Sequence, residues 1–171
     1  EVYGSLGPDD PAFTETSPIQ PNSPYAASKA GGALLVRAAY ETHRLPVVVT
    51  RCSNNYGPYQ FPEKLIAFFT TLLMENQPVP VYGDGKNIRD WIYVDDHSDG
   101  IELVLLKGRE GETYNLGAER ELSNLDITEK LLEELESLRP YGIGNREPVF
   151  LARQVRLTDI RMVGKNSLKC K

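Results

Sequence analysis

Tyr25 and Lys29 stand four residues apart in Ser23-Pro-Tyr-Ala-Ala-Ser-Lys29, so on a helix both side chains share one face. A phenol held beside an ammonium is a candidate base, because the cation favours phenolate and draws a group that titrates at about 10 toward neutral pH. The same spacing also fits a Tyr25 packed beneath a loop and a solvated Lys29. Glu1 reads as the end of a strand at a sheet edge, where it could be a second acid or base, or simply a solvated residue. In Ser53-Asn-Asn-Tyr-Gly-Pro58, which follows a strand, the amides of Asn54 and Asn55 could donate to phosphate or ribose oxygens; turn formation explains the same residues. Arg89, in Gly83-Asp-Gly-Lys-Asn-Ile-Arg-Asp-Trp91, could grip a diphosphate with paired hydrogen bonds. Trp91 reads as core, and His43 and His97 as structural. With these two histidines and only Cys52 and Cys170, there is neither metal-ligand spacing nor a disulfide framework, which fits a reducing compartment.

The elements that must position these groups alternate. Ser23 as N-cap and Pro24 at the first helical position predict a helix over Pro24–His43. Pro46–Arg51 reads as a buried parallel strand, Phe61–Asn76 as a helix, Val79–Tyr82 as extended, Gly83–Gly85 as a turn and Ile88–Val94 as a strand. Asp95 or Asp96 is expected to cap a helix to Lys107. A strand over Glu112–Leu116 follows, then a helix from Ser123 to Leu138 opened by the capping-box spacing Ser123 to Asp126. Such alternation implies a predominantly parallel sheet covered by helices. Glu1–Gly4 reads as the end of a strand already under way, and with no Met before it the chain reads as truncated. Gly4–Pro24 is a long, Pro- and Ser-rich loop, a length that is usually functional.

The 171 residues are 40% hydrophobic and 25% charged, ordinary globular composition. No apolar run nears the length of a membrane span, and the first residues have no signal-peptide character. A net charge of -5 argues against a nucleic-acid protein, but it is unevenly spread. Residues 137–171 carry eight Lys/Arg against Glu147 and Asp159, a net +6, so residues 1–136 carry -11. After Arg139 the alternation dissolves into Pro140, Gly142, Gly144 and Pro148, with one further strand expected over Val149–Val155.

In combination these residues resemble the extended short-chain dehydrogenase/reductase family, and within it the dTDP-glucose 4,6-dehydratases. The resemblance rests on Glu1-Val-Tyr-Gly4, Phe13-Thr-Glu-Thr16, the YxxxK signature in Asn22–Lys29, the long run Arg51–Ile66, Pro80-Val-Tyr-Gly-Asp-Gly85 and Arg89-Asp-Trp-Ile-Tyr-Val94. It covers about residues 1–136. It implies an α/β fold, a partial Rossmann-like parallel sheet with part of a smaller C-terminal substrate-binding region. Residues 1–60 would be a remnant of the dinucleotide-binding domain. Residues 61–138 would be a nucleotide-sugar-binding region interleaved with Rossmann elements, and 139–171 a basic tail outside the family pattern.

The resemblance further implies NAD as cofactor and dTDP-glucose as substrate. Tyr25, with Lys29 beside it, takes the proton of the sugar 4-hydroxyl as C4 gives hydride to NAD. Glu1 then removes the C5 proton as water leaves C6, and the hydride returns to C6, giving dTDP-4-keto-6-deoxyglucose for deoxysugar or rhamnose biosynthesis. By matching position Tyr25, Lys29 and Asn55 would contact cofactor. Asn54, Lys64, Leu65, Pro80, Val81, Tyr82, Arg89 and Asn124 would line the nucleotide-sugar site. The family's general-acid aspartate, its glycine-rich phosphate loop and its Arg-Pro-Gly-His-Asp motif have no counterpart among the 171 residues. The chain alone is therefore expected to be inactive, while the parent enzyme is expected to be a cytoplasmic homodimer without nucleic-acid or membrane partners. A UDP-sugar decarboxylase or epimerase of the same family is the rival reading, although an epimerase typically lacks an acid where Glu1 stands. A non-catalytic fragment, at most a weak nucleotide-sugar binder, is the reading from another class.

Overall fold

The computed structural model describes residues 1–7, 9–75, 77–137, 161–162 and 168–169. The chain is α/β and forms two compact units, one of 1–55 with 93–117 and one of 56–92 with the segment from 118 onward. The expected strand over 149–155 and the last residue of the final helix, Leu138, lie outside the described residues.

In the first unit, helix α1 spans Pro24–His43 as the sequence predicts. Ser23 is its N-cap, its Oγ accepting from the Ala26 N–H at 3.1 Å, and Pro24 loses nothing at a position where the N–H has no helical partner. The helix stops at Arg44, a left-handed residue with φ 54° whose N–H donates to the Tyr40 carbonyl. Strand β1 (Val49–Cys52) follows. It pairs in parallel with a later strand, Thr113–Leu116, in the register Val49 to Thr113 through Cys52 to Leu116. This is the Rossmann-like element of the fold. It is half-buried rather than buried, and it begins three residues after the Pro46 from which a strand was expected, where pairing with Thr113 starts.

Strand β2 (Asn54–Tyr56) occupies what reads in sequence as a loop and carries the chain into the second unit. There helix α2 (Leu65–Met74) is shorter than expected, because Phe61–Lys64 closes a turn with the Lys64 N–H on the Phe61 carbonyl at 3.0 Å. Val79–Tyr82 forms no strand ladder. The turn Gly83–Gly85 is closed by Gly85 N–H to the Tyr82 carbonyl at 3.2 Å and leads into β3 (Ile88–Tyr93). Helix α3 (Val94–Lys107) returns the chain to the first unit, followed by β4 (Thr113–Leu116). Asp95 and Asp96 are not its cap. Tyr93 is, without a side-chain bond, and the two aspartates sit in the first turn, where they oppose the positive helix end.

Strand β5 (Glu121–Ser123), three residues long and without alternation to announce it, pairs antiparallel with β3. Among the described strands, β1 and β4 pair in parallel as expected, whereas β3 and β5 do not. Asp90 fastens the connection, its carboxylate accepting from Ala118 N–H at 2.9 Å and Arg120 N–H at 2.7 Å. Helix α4 (Asn124–Ser137) opens with the predicted capping box: Asp126 N–H donates to Ser123 Oγ at 3.1 Å, and Ser123 N–H donates back to Asp126 Oδ2 at 2.8 Å. Two short strands, β6 (Arg161–Met162) and β7 (Leu168–Lys169), pair antiparallel. No described helix is long and apolar enough to cross a membrane.

The second unit is built on Phe69, Leu73, Val79 and Val81, with Leu residues of α2 and α4 against them. Gly85 closes that core. Its φ is +72°, and a Cβ there would meet Leu125 Cγ at 2.6 Å and Val81 Cγ1 at 2.7 Å. Gly31, in the middle of α1, has nothing within 4 Å of its missing Cβ. Gly85→Ala is expected to destabilise the protein by about 1–3 kcal/mol through overpacking and strain. Gly31→Ala is expected to stabilise it by about 0.5–1 kcal/mol. Urea unfolding followed by circular dichroism checks both signs.

Candidate functional site

In the first unit, the small side chains Ala26 and Ala30 are the buried positions of α1, which turns Tyr25 and Lys29 to solvent. Tyr25 is 64% exposed. Lys29 Nζ lies 5.6 Å from the centre of its ring, within cation–π range, so the shared face expected from the spacing is realised.

Glu1 is exposed and lies at a turn, not at a strand end: the Gly4 N–H donates to the Glu1 carbonyl at 3.3 Å. What holds this segment is the far end of the loop. Gln20 N–H donates to the Val2 carbonyl at 3.0 Å, and Asn22 Nδ2 to Ser5 Oγ at 3.1 Å. Gly4 makes the approach feasible, since at φ +103° a Cβ would stand 2.9 Å from the Gln20 carbonyl oxygen. Residues 2–5 are thus stitched to 20–22, immediately before the cap of the helix that carries Tyr25.

A second set of bonds fixes the same segment to the parallel pair of strands. Tyr3 is buried and stacked on Phe13 at 5.1 Å. Its hydroxyl accepts from Arg51 Nη1 at 2.6 Å and donates to Asn115 Oδ1 at 2.7 Å. The Asn115 N–H in turn donates to Glu15 Oε1 at 2.8 Å. That N–H, then the backbone N–H of Glu15 itself and the nearby Arg51 guanidinium, hold the Glu15 carboxyl below the usual carboxylate range, against a small opposing effect of burial. Sequence reasoning missed this network, whose contacts span up to 112 residues and leave no local signal. On β2, Asn54 is exposed and Asn55 half-buried, with Asn55 Nδ2 donating to the Ser53 carbonyl at 3.2 Å.

The second unit contains a pocket of about 150 Å³ lined by Glu63, Leu65, Phe68, Phe69, Pro80, Tyr82 and Asn124. Four of the eight residues expected at a nucleotide-sugar site, Leu65, Pro80, Tyr82 and Asn124, come together here from three separate segments. Asn124 is buried, and its Oδ1 has no hydrogen-bond partner among the described residues. A buried acceptor left without a donor is costly, so such a group is expected to meet a donor from water or from a ligand. The other expected residues lie elsewhere. Lys64 is exposed, its Nζ 3.6 Å from Glu63 Oε1; the Val81 side chain is in the core at 3% exposure; Arg89 is half-buried on β3. Glu63, Phe68 and Phe69 were not foreseen. Phe68 and Phe69 follow Leu65 at helical spacings of three and four, the one signal that could have placed them on its face. Among the described residues no group of three or more His, Cys, Asp or Glu could hold a metal.

A parallel strand pair packed against α3, with a Tyr–Lys face in one unit and an aromatic pocket in the other, defines an α/β architecture. The family model described as GDP-mannose 4,6 dehydratase matches residues 1–169, and the chain belongs to that family. It is similar to a dTDP-glucose 4,6-dehydratase of Streptomyces niveus, 57% identical over 133 residues, which are 78% of this chain and 39% of that protein. Among solved structures it is similar to the Bacillus anthracis dTDP-glucose 4,6-dehydratase in complex with NAD, at 52% identity and TM-score 0.76, covering 79% of this chain and 43% of that one. It is likewise similar to the Streptomyces venezuelae dTDP-glucose 4,6-dehydratase with NAD and TYD bound, at 54% identity and TM-score 0.76, covering 80% and 42%. The chain spans less than half the length of these relatives. The family match runs past residue 138, into the basic tail.

The Glu15 clasp has a pH signature. Because its carboxyl is held below its unfolded value, the stabilisation is present above the ordinary glutamate range and is lost as pH falls through the lower, folded value. Glu15→Gln is expected to flatten that acid limb. Acid titration of the Asn115 amide resonance checks it: its shift should move through the depressed value in the unmodified chain and stay level in the variant.

Proposed function

We propose that this chain carries the Tyr–Lys face and the nucleotide pocket of a dTDP-glucose 4,6-dehydratase. The observation that carries the reading is the pocket, where Leu65, Pro80, Tyr82 and Asn124 meet around a buried acceptor that has no partner among the described residues. Two phenylalanines, a tyrosine and a proline suit a flat ring. At about 150 Å³ the pocket is smaller than the roughly 300–1,000 Å³ of a site that encloses a whole drug-sized ligand, so it takes one part of a nucleotide sugar.

In the first unit Tyr25 is the base for the sugar hydroxyl, and the Lys29 ammonium beside its ring stabilises the phenolate formed. Glu1 is the base for the proton at C5. NAD fits this donor set: the exposed phenol and ammonium and the Asn55 amide are the kinds of group that hold ribose hydroxyls. When bound, NAD supplies hydride acceptance and return. Tyr25, Lys29 and Asn55 would hold it, Asn54, Lys64 and Arg89 would serve the nucleotide sugar, and Val81 would contribute only through its main chain. Homodimerisation and a cytoplasmic setting belong to the same reading. A carboxylate at position 1 favours a dehydratase over an epimerase.

The chain on its own is expected to bind dTDP without turning over dTDP-glucose, since the general acid and the glycine-rich loop have no counterpart among its residues. Trp91, the sole tryptophan, is buried in the second unit and offers a fluorescence readout. Saturable dTDP binding, weakened about tenfold or more by Tyr82→Ala or Asn124→Ala, is the expected result. The alkali-induced absorbance of the 4-keto-6-deoxy product, with NAD added, checks turnover. Absence of dTDP binding by a folded chain would refute the pocket reading. Turnover that vanishes in Tyr25→Phe would refute the inactivity of the chain.

A further inference from the structure

Tyr3 is buried in the first unit, and the family resemblance gives it no role. Arg51 on β1 and Asn115 on β4 are direct partners in the parallel register. Both reach the same oxygen: Arg51 Nη1 donates to the Tyr3 hydroxyl at 2.6 Å, and that hydroxyl donates to Asn115 Oδ1 at 2.7 Å. A hydroxyl accepts and donates at once, so it alone completes a bridge between a guanidinium and an amide oxygen, where a phenyl ring would do neither. The ring is held as well, stacked on Phe13 at 5.1 Å and with the Arg51 guanidinium 4.9 Å from its centre. Two residues before this anchor stands Glu1, whose carbonyl accepts the Gly4 N–H, while the Val2 carbonyl between them accepts from Gln20. The anchor lies toward the C-terminal ends of β1 and β4, the side of a parallel sheet on which ligands gather.

We propose that Tyr3 is a positioning residue for Glu1: its hydroxyl, bonded across the register pair Arg51 and Asn115, fixes the place from which the Glu1 carboxylate removes a proton. This inference rests on the reading of Glu1 as the base for C5 and adds to it the group that holds the base in place. In the step concerned, the proton on the carbon beside the C4 ketone passes to the carboxylate, and the electron pair of the broken C5–H bond passes to the ketone oxygen as an enolate. Such a transfer depends steeply on position, and a displacement of about 1 Å can cost about a hundredfold in rate.

The step can be followed alone, without turnover of dTDP-glucose. The full chain is incubated with dTDP-4-keto-6-deoxyglucose in D2O, and proton NMR follows the loss of the C5 signal. The carboxyl exchanges its proton with solvent and returns a deuteron to C5, so neither a hydride acceptor nor a general acid for a leaving group is needed. Exchange faster than in buffer alone, and lost in Glu1→Gln, is expected. Tyr3→Phe, which keeps the ring, should slow exchange at saturating ligand by about tenfold or more and leave the half-saturating concentration within about twofold. Asn115→Leu should reproduce that loss, whereas Asn115→Asp, which keeps an acceptor oxygen for the hydroxyl, should retain most of the rate. A merely structural Tyr3 would lower the rate only in proportion to the folded fraction seen by circular dichroism, and that result overturns the inference. Exchange by Tyr3→Phe within about twofold of the unmodified chain overturns it as well, with the Glu1 reading intact. If the unmodified chain exchanges no faster than buffer, or Glu1→Gln exchanges as fast as the unmodified chain, the Glu1 reading itself has failed and the inference with it.

Discussion

Pro80 and Tyr82 reach the pocket because Val79 and Val81 are buried. In an extended segment successive side chains point to opposite sides, and burying the two valines at 5% and 3% exposure against Phe69 and Leu73 leaves the alternate residues facing outward. The rest of the second unit follows from that constraint. Gly85 must be glycine because Val81 and Leu125 fill the space where a Cβ would go. With the turn closed, Leu125 N–H reaches the Gly85 carbonyl and Asn124 N–H the Asn87 carbonyl, each at 3.2 Å, which sets Asn124 at the head of α4 beside the pocket. The capping box at Ser123 and Asp126 fixes where that helix begins.

The first unit meets a different demand, which is to hold the exposed Tyr25–Lys29 face on a rigid support. Ala26 and Ala30 let α1 pack closely on one side while Tyr25 and Lys29 stay open on the other. The loop ahead of α1 is secured at both ends: by the contacts of 2–5 with 20–22, and by Tyr3, Arg51, Asn115 and Glu15. These bonds tie the first residues of the chain to the residues just ahead of α1.

Much of this was legible in the sequence wherever the signal is local. Ser23-Pro24 announced α1, Ser123 with Asp126 announced α4, and the glycines at 83 and 85 announced the turn. The candidate residues of the pocket came from resemblance and not from periodicity, which reads Leu65 and Pro80 only as apolar positions. Local signals ran out where pairing is non-local. β2 and β5 are three residues each and owe their strand conformation to their neighbours, and Phe61–Lys64 closes a turn before α2 although its residues read as helical. Glu15 and Arg51 act across distances in sequence that no window could span. Glu63 carried no signal at all, because a carboxylate before a helix is an ordinary surface residue until the fold places it in a pocket wall.

The central claim is that the second unit holds a nucleotide pocket around Asn124. Its most direct test is a titration of the isotope-labelled chain with dTDP, followed through its amide and methyl resonances. The account predicts saturable shifts concentrated on Leu65, Phe69, Tyr82 and Asn124, together with the side-chain amide of Asn124. Shifts confined to other residues, or none at saturating ligand, would contradict it.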